Sequence, residues 1–183
     1  FRAPLDRPVR FLDLCTGSGC LGITLALSVA ESTGVLADLE AGACEVAQEN
    51  VEFHQVGDRV EVIQSDGFNE LFDERFDLII CNPPYVDAED MAELPPEYQK
   101  EPVVALASGE DGLDLVRRLL GQAADWLSDE GIMILEVGNT WGLLDREVVA
   151  RTGEPLQWCQ FEFGGHGVCV LSKRELNALY SAF

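Results

Sequence analysis

Short apolar runs alternate along this chain with stretches of helical periodicity, and that alternation leaves few folds open. Val9–Leu14, Val35–Ala37, Val60–Gln64, Phe76–Cys81 and Ile132–Val137 read as strands. Leu21–Leu27 is apolar nearly all round and reads as a buried helix, and Ala43, Val46, Ala47 and Asn50 recur at helical spacing up to about His54. Leu113, Val116, Leu120, Ala123, Ala124 and Leu127 mark one face of an amphipathic helix, and Trp141, Leu144 and Val148 mark another helix. Leu78-Ile79-Ile80 carries no polar residue, as expected of a strand covered by helices on both faces. Near the end, Leu156–Phe163 and Val168–Leu171 flank Gly164-Gly165-His166-Gly167, a hairpin signal and so an antiparallel pair. Ser172-Lys173-Arg174-Glu175 has capping-box spacing and opens a last helix. Val86 to Asp111 has no clean period, many acids and the breakers Pro95, Pro96 and Pro102, and reads as a long loop. The sum is an α/β fold with a mostly parallel sheet and helices on both faces, whose ligands bind beyond the carboxyl ends of the strands.

The 183 residues suit one domain, 1–183, with a packed core. The chain opens on Phe1, not Met, and enters a strand almost at once, so it reads as a piece of a longer protein. Twelve Lys+Arg against 33 Asp+Glu give a formal charge of −21, which repels nucleic acid and anionic membranes and attracts basic partners. No apolar run has the length of a membrane span and nothing resembles a signal peptide, so a cytoplasmic location is expected. The six Cys (15, 20, 44, 81, 159 and 169) form no C-x-x-C pair and stand apart from His54 and His166; they read as reduced, mostly buried thiols, with no metal site.

Chemistry concentrates at the strand ends. Gly17-Ser18-Gly19-Cys20-Leu21-Gly22 fits G-x-G-x-x-G between a strand and a helix, the setting in which a backbone turns tightly and admits a ligand to a helix N-terminus. Asp38 ends the second strand at the spacing of a carboxylate that accepts ribose hydroxyls; its structural alternative is a helix cap. These features suit a nicotinamide cofactor or S-adenosylmethionine. Asp13, inside the first strand, favours the latter, because a diphosphate is unwelcome beside an anion whereas an ammonium or sulfonium gains Coulomb energy there. Asp66, followed by Gly67, is placed to accept from an adenine amino group, with Phe68 or its neighbours lining the ring; taken alone, it reads nearly as well as an exposed turn Asp.

Asn82-Pro83-Pro84-Tyr85 is the most specific signal. Planar nitrogens with delocalised lone pairs are poor nucleophiles, and positioning supplies much of the rate of their methylation. The Asn82 side-chain oxygen and the Pro83 carbonyl can accept the two N–H groups of an amide or amino substituent, the prolines hold the backbone, and Tyr85 can pack on the flat group.

With these residues assembled, the chain resembles the class I, Rossmann-like, S-adenosylmethionine-dependent methyltransferase core, and within it the HemK/Prm family of protein glutamine N5-methyltransferases. Leu12–Cys20, Asp38, Asn82–Val86, Glu101-Pro102 and Glu136–Asn139 carry the resemblance, which runs from about Phe11 to Leu171. The stretch Asn82–Leu113 is more similar to members that modify a large-subunit ribosomal protein than to those that modify release factors. The resemblance implies a seven-stranded sheet with the last strand antiparallel. It also implies a glutamine amide gripped by Asn82, Pro83, Pro84 and Tyr85, and S-adenosylmethionine held by Cys15, Thr16, Gly17, Ser18, Gly19 (methionine part), Asp38 (ribose) and Asp66 (adenine). Glu101 and Glu136 could touch substrate, and each reads as easily as a solvated or cap-forming acid. Family members carry a helical N-terminal domain, which does not precede Phe1 here. Where they continue after the acid with a Ser-Pro helix start, this chain has Leu39-Glu40-Ala41-Gly42.

Two other activities are compatible with parts of this pattern. The Asn-Pro-Pro-Tyr grip also suits the exocyclic amine of a flipped base, but the −21 charge disfavours nucleic acid and favours a basic ribosomal protein. A nicotinamide-dependent oxidoreductase has no use for Asp13 or for Asn82–Tyr85.

Overall fold

The computed structural model describes residues 7–72, 75–84, 111–162 and 165–180. Tyr85, the Val86–Asp111 loop up to residue 110, and Glu101 lie outside them. Six strands, β1 (Arg10–Leu14), β2 (Thr33–Asp38), β3 (Val60–Gln64), β4 (Phe76–Cys81), β5 (Leu127–Glu136) and β6 (Val168–Ser172), form one sheet in the order β3-β2-β1-β4-β5-β6. All neighbours are parallel except β5 and β6. Order reverses at β1, so the crevice of this sheet opens beyond β1 and β4.

Alternation along the strands divides the core. Phe11 and Leu36 face α1 (Cys20–Ser28) and α2 (Ala41–Phe53), packing with Ile23, Ala47 and Val51. Leu12, Leu14, Val35 and Ile79 face the other way, onto α3 (Asp114–Trp126), α4 (Trp141–Thr152) and α5 (Lys173–Tyr180). Full burial of a residue such as Phe11, with no exposed surface, contributes about 1.5–3 kcal/mol. α3 buries Val116, Leu119, Leu120, Ala123 and Ala124, the single face the periodicity predicts with Leu119 added. α5 opens on a formed capping box: Glu175 Oε2 accepts from Ser172 N at 2.7 Å, and Ser172 Oγ accepts from Glu175 N at 3.3 Å.

Several expectations are corrected. Only α1's Gly22, Ile23 and Ala26 are buried, while Leu21 and Leu27 are exposed, so an apolar sequence does not make this helix buried all round. The expected hairpin arms pair antiparallel, but among the described residues the pairing is one bridge, Trp158 with Cys169, with Cys159 N donating to Val168 O at 2.8 Å and Val170 N to Gln157 O at 3.4 Å, so the described sheet has six strands where seven were expected. Two of the six thiols, Cys81 and Cys169, are buried; Cys20 is exposed and the others are half-buried. β5 starts earlier than Ile132, at Leu127, but its register breaks between Phe76 and Leu78 and only from Ile132 onward is it regular. Ile80, Ile134 and Val170 lie in one row across β4, β5 and β6 and are only half-buried, so β4 is covered less completely than its sequence implies.

Among the described residues no helix is long and apolar enough to cross a membrane.

Candidate active site

The loop leaving β1 is held by side chains from below and from β2. Cys15 (φ 58), Gly17 (φ 56) and Gly19 (φ 80) all take left-handed conformations, which turn the chain sharply into α1. Thr16 N donates to Ala37 O at 3.0 Å and Gly19 N to Thr16 O at 3.0 Å, so the turn is closed on itself and on β2. The glycines of the pattern differ in purpose. A Cβ on Gly17 would meet no atom within 4 Å, which leaves the crest of the loop open to a ligand. A Cβ on Gly22 would lie 2.3 Å from Leu36 Cδ2 and 3.0 Å from Asp13, so this glycine lets α1 press on the sheet.

Asp13 is 1% exposed, beneath the N-terminus of α1. Its Oδ2 accepts from Thr16 Oγ1 at 2.7 Å and from Gly22 N at 2.8 Å. The helix start is therefore already occupied by a carboxylate, a place where a dinucleotide's diphosphate would otherwise sit. Burial pushes its pKa up to about 6, against the two hydrogen bonds, which pull it down. The folded chain thus holds a proton on Asp13 more firmly than the unfolded chain, and this group's ionisation lowers stability as pH rises through 6. Substituting Asp13→Asn is expected to change stability relative to the parent by about 1 kcal/mol in the variant's favour between pH 5 and pH 8. Urea unfolding at the two pH values measures it, and a pH-independent difference rejects the assignment.

Asp38, half-buried at the end of β2, clamps the loop: Oδ2 accepts from Gly17 N at 2.9 Å and Oδ1 from Glu40 N at 3.0 Å. The second bond is an Asx-type turn ahead of α2, not the helix cap weighed from sequence, since α2 is capped at Glu40 with no side-chain cap bond; it orders the start of the Leu39–Gly42 segment that departs from the family pattern. A carboxylate has about four acceptor positions, so capacity for ribose hydroxyls remains. Ser65 N donates to Asp38 O at 2.8 Å, tying the β3 end, with Asp66 and Gly67 (φ 63), to the same edge.

Asn82, Pro83 and Pro84 leave β4, whose Cys81 registers with Leu14 of β1; the Asn-Pro-Pro turn and the glycine loop are thereby neighbours. Asn82 is exposed, and among the described residues no hydrogen bond engages its side chain. Beneath it the buried Cys81 thiol lies against Cys15, and burial together with that neighbour raises its pKa well above the ordinary thiol value. On the other side, Cys81 registers with Leu135, so half-buried Glu136 ends β5 beside Asn82.

Phe68 does not line this edge: it is 3% exposed and stacked on Trp126 at 5.5 Å in the core below. Three participants carried no signal in the sequence pattern. Arg118 of α3 pairs with Asp66 across 52 residues, Asn50 Nδ2 donates to Ser18 O at 2.8 Å, and His166 Nε2 meets Asn139 Oδ1 at 2.7 Å next to the end of β5.

The chain is 41% identical over 180 residues to a ribosomal protein uL3 glutamine methyltransferase of Francisella tularensis subsp. tularensis, covering 98% of this chain and 56% of that protein. It is 47% identical over 161 residues to the protein of the same name from Bradyrhizobium diazoefficiens, covering 86% of this chain and 50% of that one. The chain thus spans about half the length of these relatives. Among solved structures, a ribosomal protein L11 methylase from Lactobacillus delbrueckii subsp. bulgaricus superposes with a TM-score of 0.61 at 17% identity, over 91% of this chain and 71% of that one, a likeness of fold. Residues 3–94, half of the chain and the part that builds the glycine loop, Asp38, Asp66 and the Asn-Pro-Pro turn, match the methyltransferase small domain family, and to that family the chain belongs.

Proposed function

We propose that this chain is the catalytic part of an S-adenosylmethionine-dependent enzyme that methylates the side-chain nitrogen of a glutamine in a basic protein of the large ribosomal subunit. The observation that carries the reading is the juxtaposition of an open glycine loop at the end of β1 with an exposed Asn82 at the end of the adjacent β4. The names of the two relatives supply the substrate class.

The residues fit the cofactor. Gly17 leaves space where any side chain would intrude, Asp13 makes the floor of the loop negative at neutral pH, and Asp38 retains acceptor positions for ribose hydroxyls. Cys15, Thr16, Gly17, Ser18 and Gly19 would enclose the amino-acid end, and Asp66 with Gly67 the base. When bound, S-adenosylmethionine supplies an electrophilic methyl group on a sulfonium.

What the chain itself does is orient. Asn82 Oδ1 and the Pro83 carbonyl would accept the two amide hydrogens of the glutamine, which turns the nitrogen's lone pair out of the plane of those bonds and toward the β1 loop. Asn82 precedes a proline and is kept out of helical conformation, so the grip is set before substrate arrives. Tyr85, outside the described residues, is assigned to pack against the amide. The nitrogen becomes acidic once alkylated and loses its proton to water, so no strong base is assigned; Glu136 is the described acid nearest in register. The charge of −21 draws in a Lys/Arg-rich protein and repels RNA.

The test uses the full protein, labelled S-adenosylmethionine and ribosomes lacking the modification, followed by mass mapping. One methyl group on a glutamine of a basic large-subunit protein is expected. Label in RNA, in a release factor, or on another residue type rejects the substrate assignment.

A further inference from the structure

The nucleobase end of the site has a component that the motifs do not contain. Arg118 reaches from α3 to the ends of β1 and β3. Its Nη2 donates to Asp66 Oδ1 at 2.5 Å. The same Nη2 and the guanidinium carbon stand 3.9 Å and 4.0 Å from where a Cβ on Gly67 would sit, and the charge lies near enough to Cys15 to interact with it. Its neighbour Arg117 is committed elsewhere, to Asp111, Asp114 and Glu147, which pins the first turn of α3 to α4 and fixes the base from which Arg118 extends.

The Arg118–Asp66 pair is about two-fifths exposed on both sides, and an ion pair in that setting adds little to folding stability. Its geometry is more informative than its strength. One carboxylate oxygen is taken by the arginine, which fixes the rotamer of Asp66; the other has no bond to a described residue. The guanidinium also holds the Asp66 carboxyl below the usual carboxylate range, so at neutral pH it can only accept hydrogen bonds.

We propose that Arg118 is a positioning residue for base recognition: it holds Asp66 by one oxygen so that the other accepts from the exocyclic amino group of a 6-aminopurine. The inference rests on the assignment of Asp66 to adenine made above. A 6-oxo purine would set acceptor against acceptor, so a fixed, ionised Asp66 selects amino over oxo, and a carboxylate free to turn away selects less.

Calorimetric titration of the full protein and of its Arg118→Met, Arg118→Lys and Asp66→Asn variants with S-adenosylhomocysteine and with S-inosylhomocysteine separates the alternatives. The wild type is expected to prefer the adenosyl compound by about a hundredfold. Arg118→Met should lose about tenfold in adenosyl affinity with little change for the inosyl compound, so the preference shrinks about tenfold, and Arg118→Lys should recover part of it. If Arg118→Met weakens both compounds equally or neither, the arginine is a structural staple and the inference fails. Should Asp66→Asn abolish the preference while Arg118→Met keeps it, only the role of Arg118 falls. If Asp66→Asn also leaves the preference intact, or the wild type binds neither compound, the assignment of Asp66 falls with it.

Discussion

Replacing Asn82 by Ala is expected to reduce methyl transfer at least about a thousandfold while S-adenosylhomocysteine affinity stays within about threefold. The asymmetry follows from position. Asn82 is exposed beyond the end of β4 and holds up nothing among the described residues, so its loss leaves the glycine loop, Asp38 and the core as they are. What would disappear is the acceptor proposed to turn a sluggish amide nitrogen toward the methyl group, and an amide left to rotate freely spends little time in a reactive pose. Asn82→Asp is a sharper variant, because it keeps an acceptor of the same reach and adds charge; partial activity there with none in Asn82→Ala identifies acceptance of a hydrogen bond as the function. Single-turnover rates and calorimetric affinities measure the two halves of the prediction. An alanine variant that turns over at the parental rate removes the basis of the proposed mechanism.

The second large effect is on stability and has a built-in control of opposite sign. Gly22→Ala gives α1 a better helix former, worth about 0.5–1 kcal/mol in isolation. The new Cβ, however, would lie 2.3 Å from Leu36 Cδ2 and 3.0 Å from Asp13 Cβ, and Leu36 and Asp13 are 0% and 1% exposed with no room to yield. Overpacking of that kind costs about 1–3 kcal/mol and sometimes more, so the clash wins and a net loss of about 2 kcal/mol is expected. The displaced Asp13 would also release Thr16 and Gly22 N, so cofactor binding should weaken with stability. Gly42→Ala in α2 introduces a Cβ that meets nothing within 4 Å, and there the propensity gain stands alone. Thermal unfolding should move down for the first variant and up for the second. Movement in the same direction for both contradicts the packing account.

Much of this molecule is legible without coordinates because it is written in local periodicity. The β–α alternation, the amphipathic face of α3, the capping box at Ser172 and the glycine pattern after β1 each depend on residues a few positions apart. Where the reading failed, it failed on surroundings. Leu21 and Leu27 look like core residues, but on α1 only Gly22, Ile23 and Ala26 are buried, and nothing in a run of leucines says which side the sheet will take. Phe68 follows Asp66 and Gly67 closely enough to suggest a shared binding surface, yet it packs inward onto Trp126. The expected hairpin arms do pair antiparallel, but among the described residues the pairing is as short as the Trp158–Cys169 bridge and its two backbone hydrogen bonds, an extent that the apolar runs do not reveal.

Two features divide the contributions cleanly. That a turn-forming glycine segment, an acid at the end of β2 and an Asn-Pro-Pro turn exist at strand ends was determined by the sequence alone, since each is a property of consecutive residues. That the first and last of these are neighbours was decided by β1 lying between β2 and β4, and that Arg118 meets Asp66 was decided by where α3 crosses the sheet. Those pairings arise from strand order and register, which come from how whole faces of apolar side chains find each other, and no short stretch of chain encodes them.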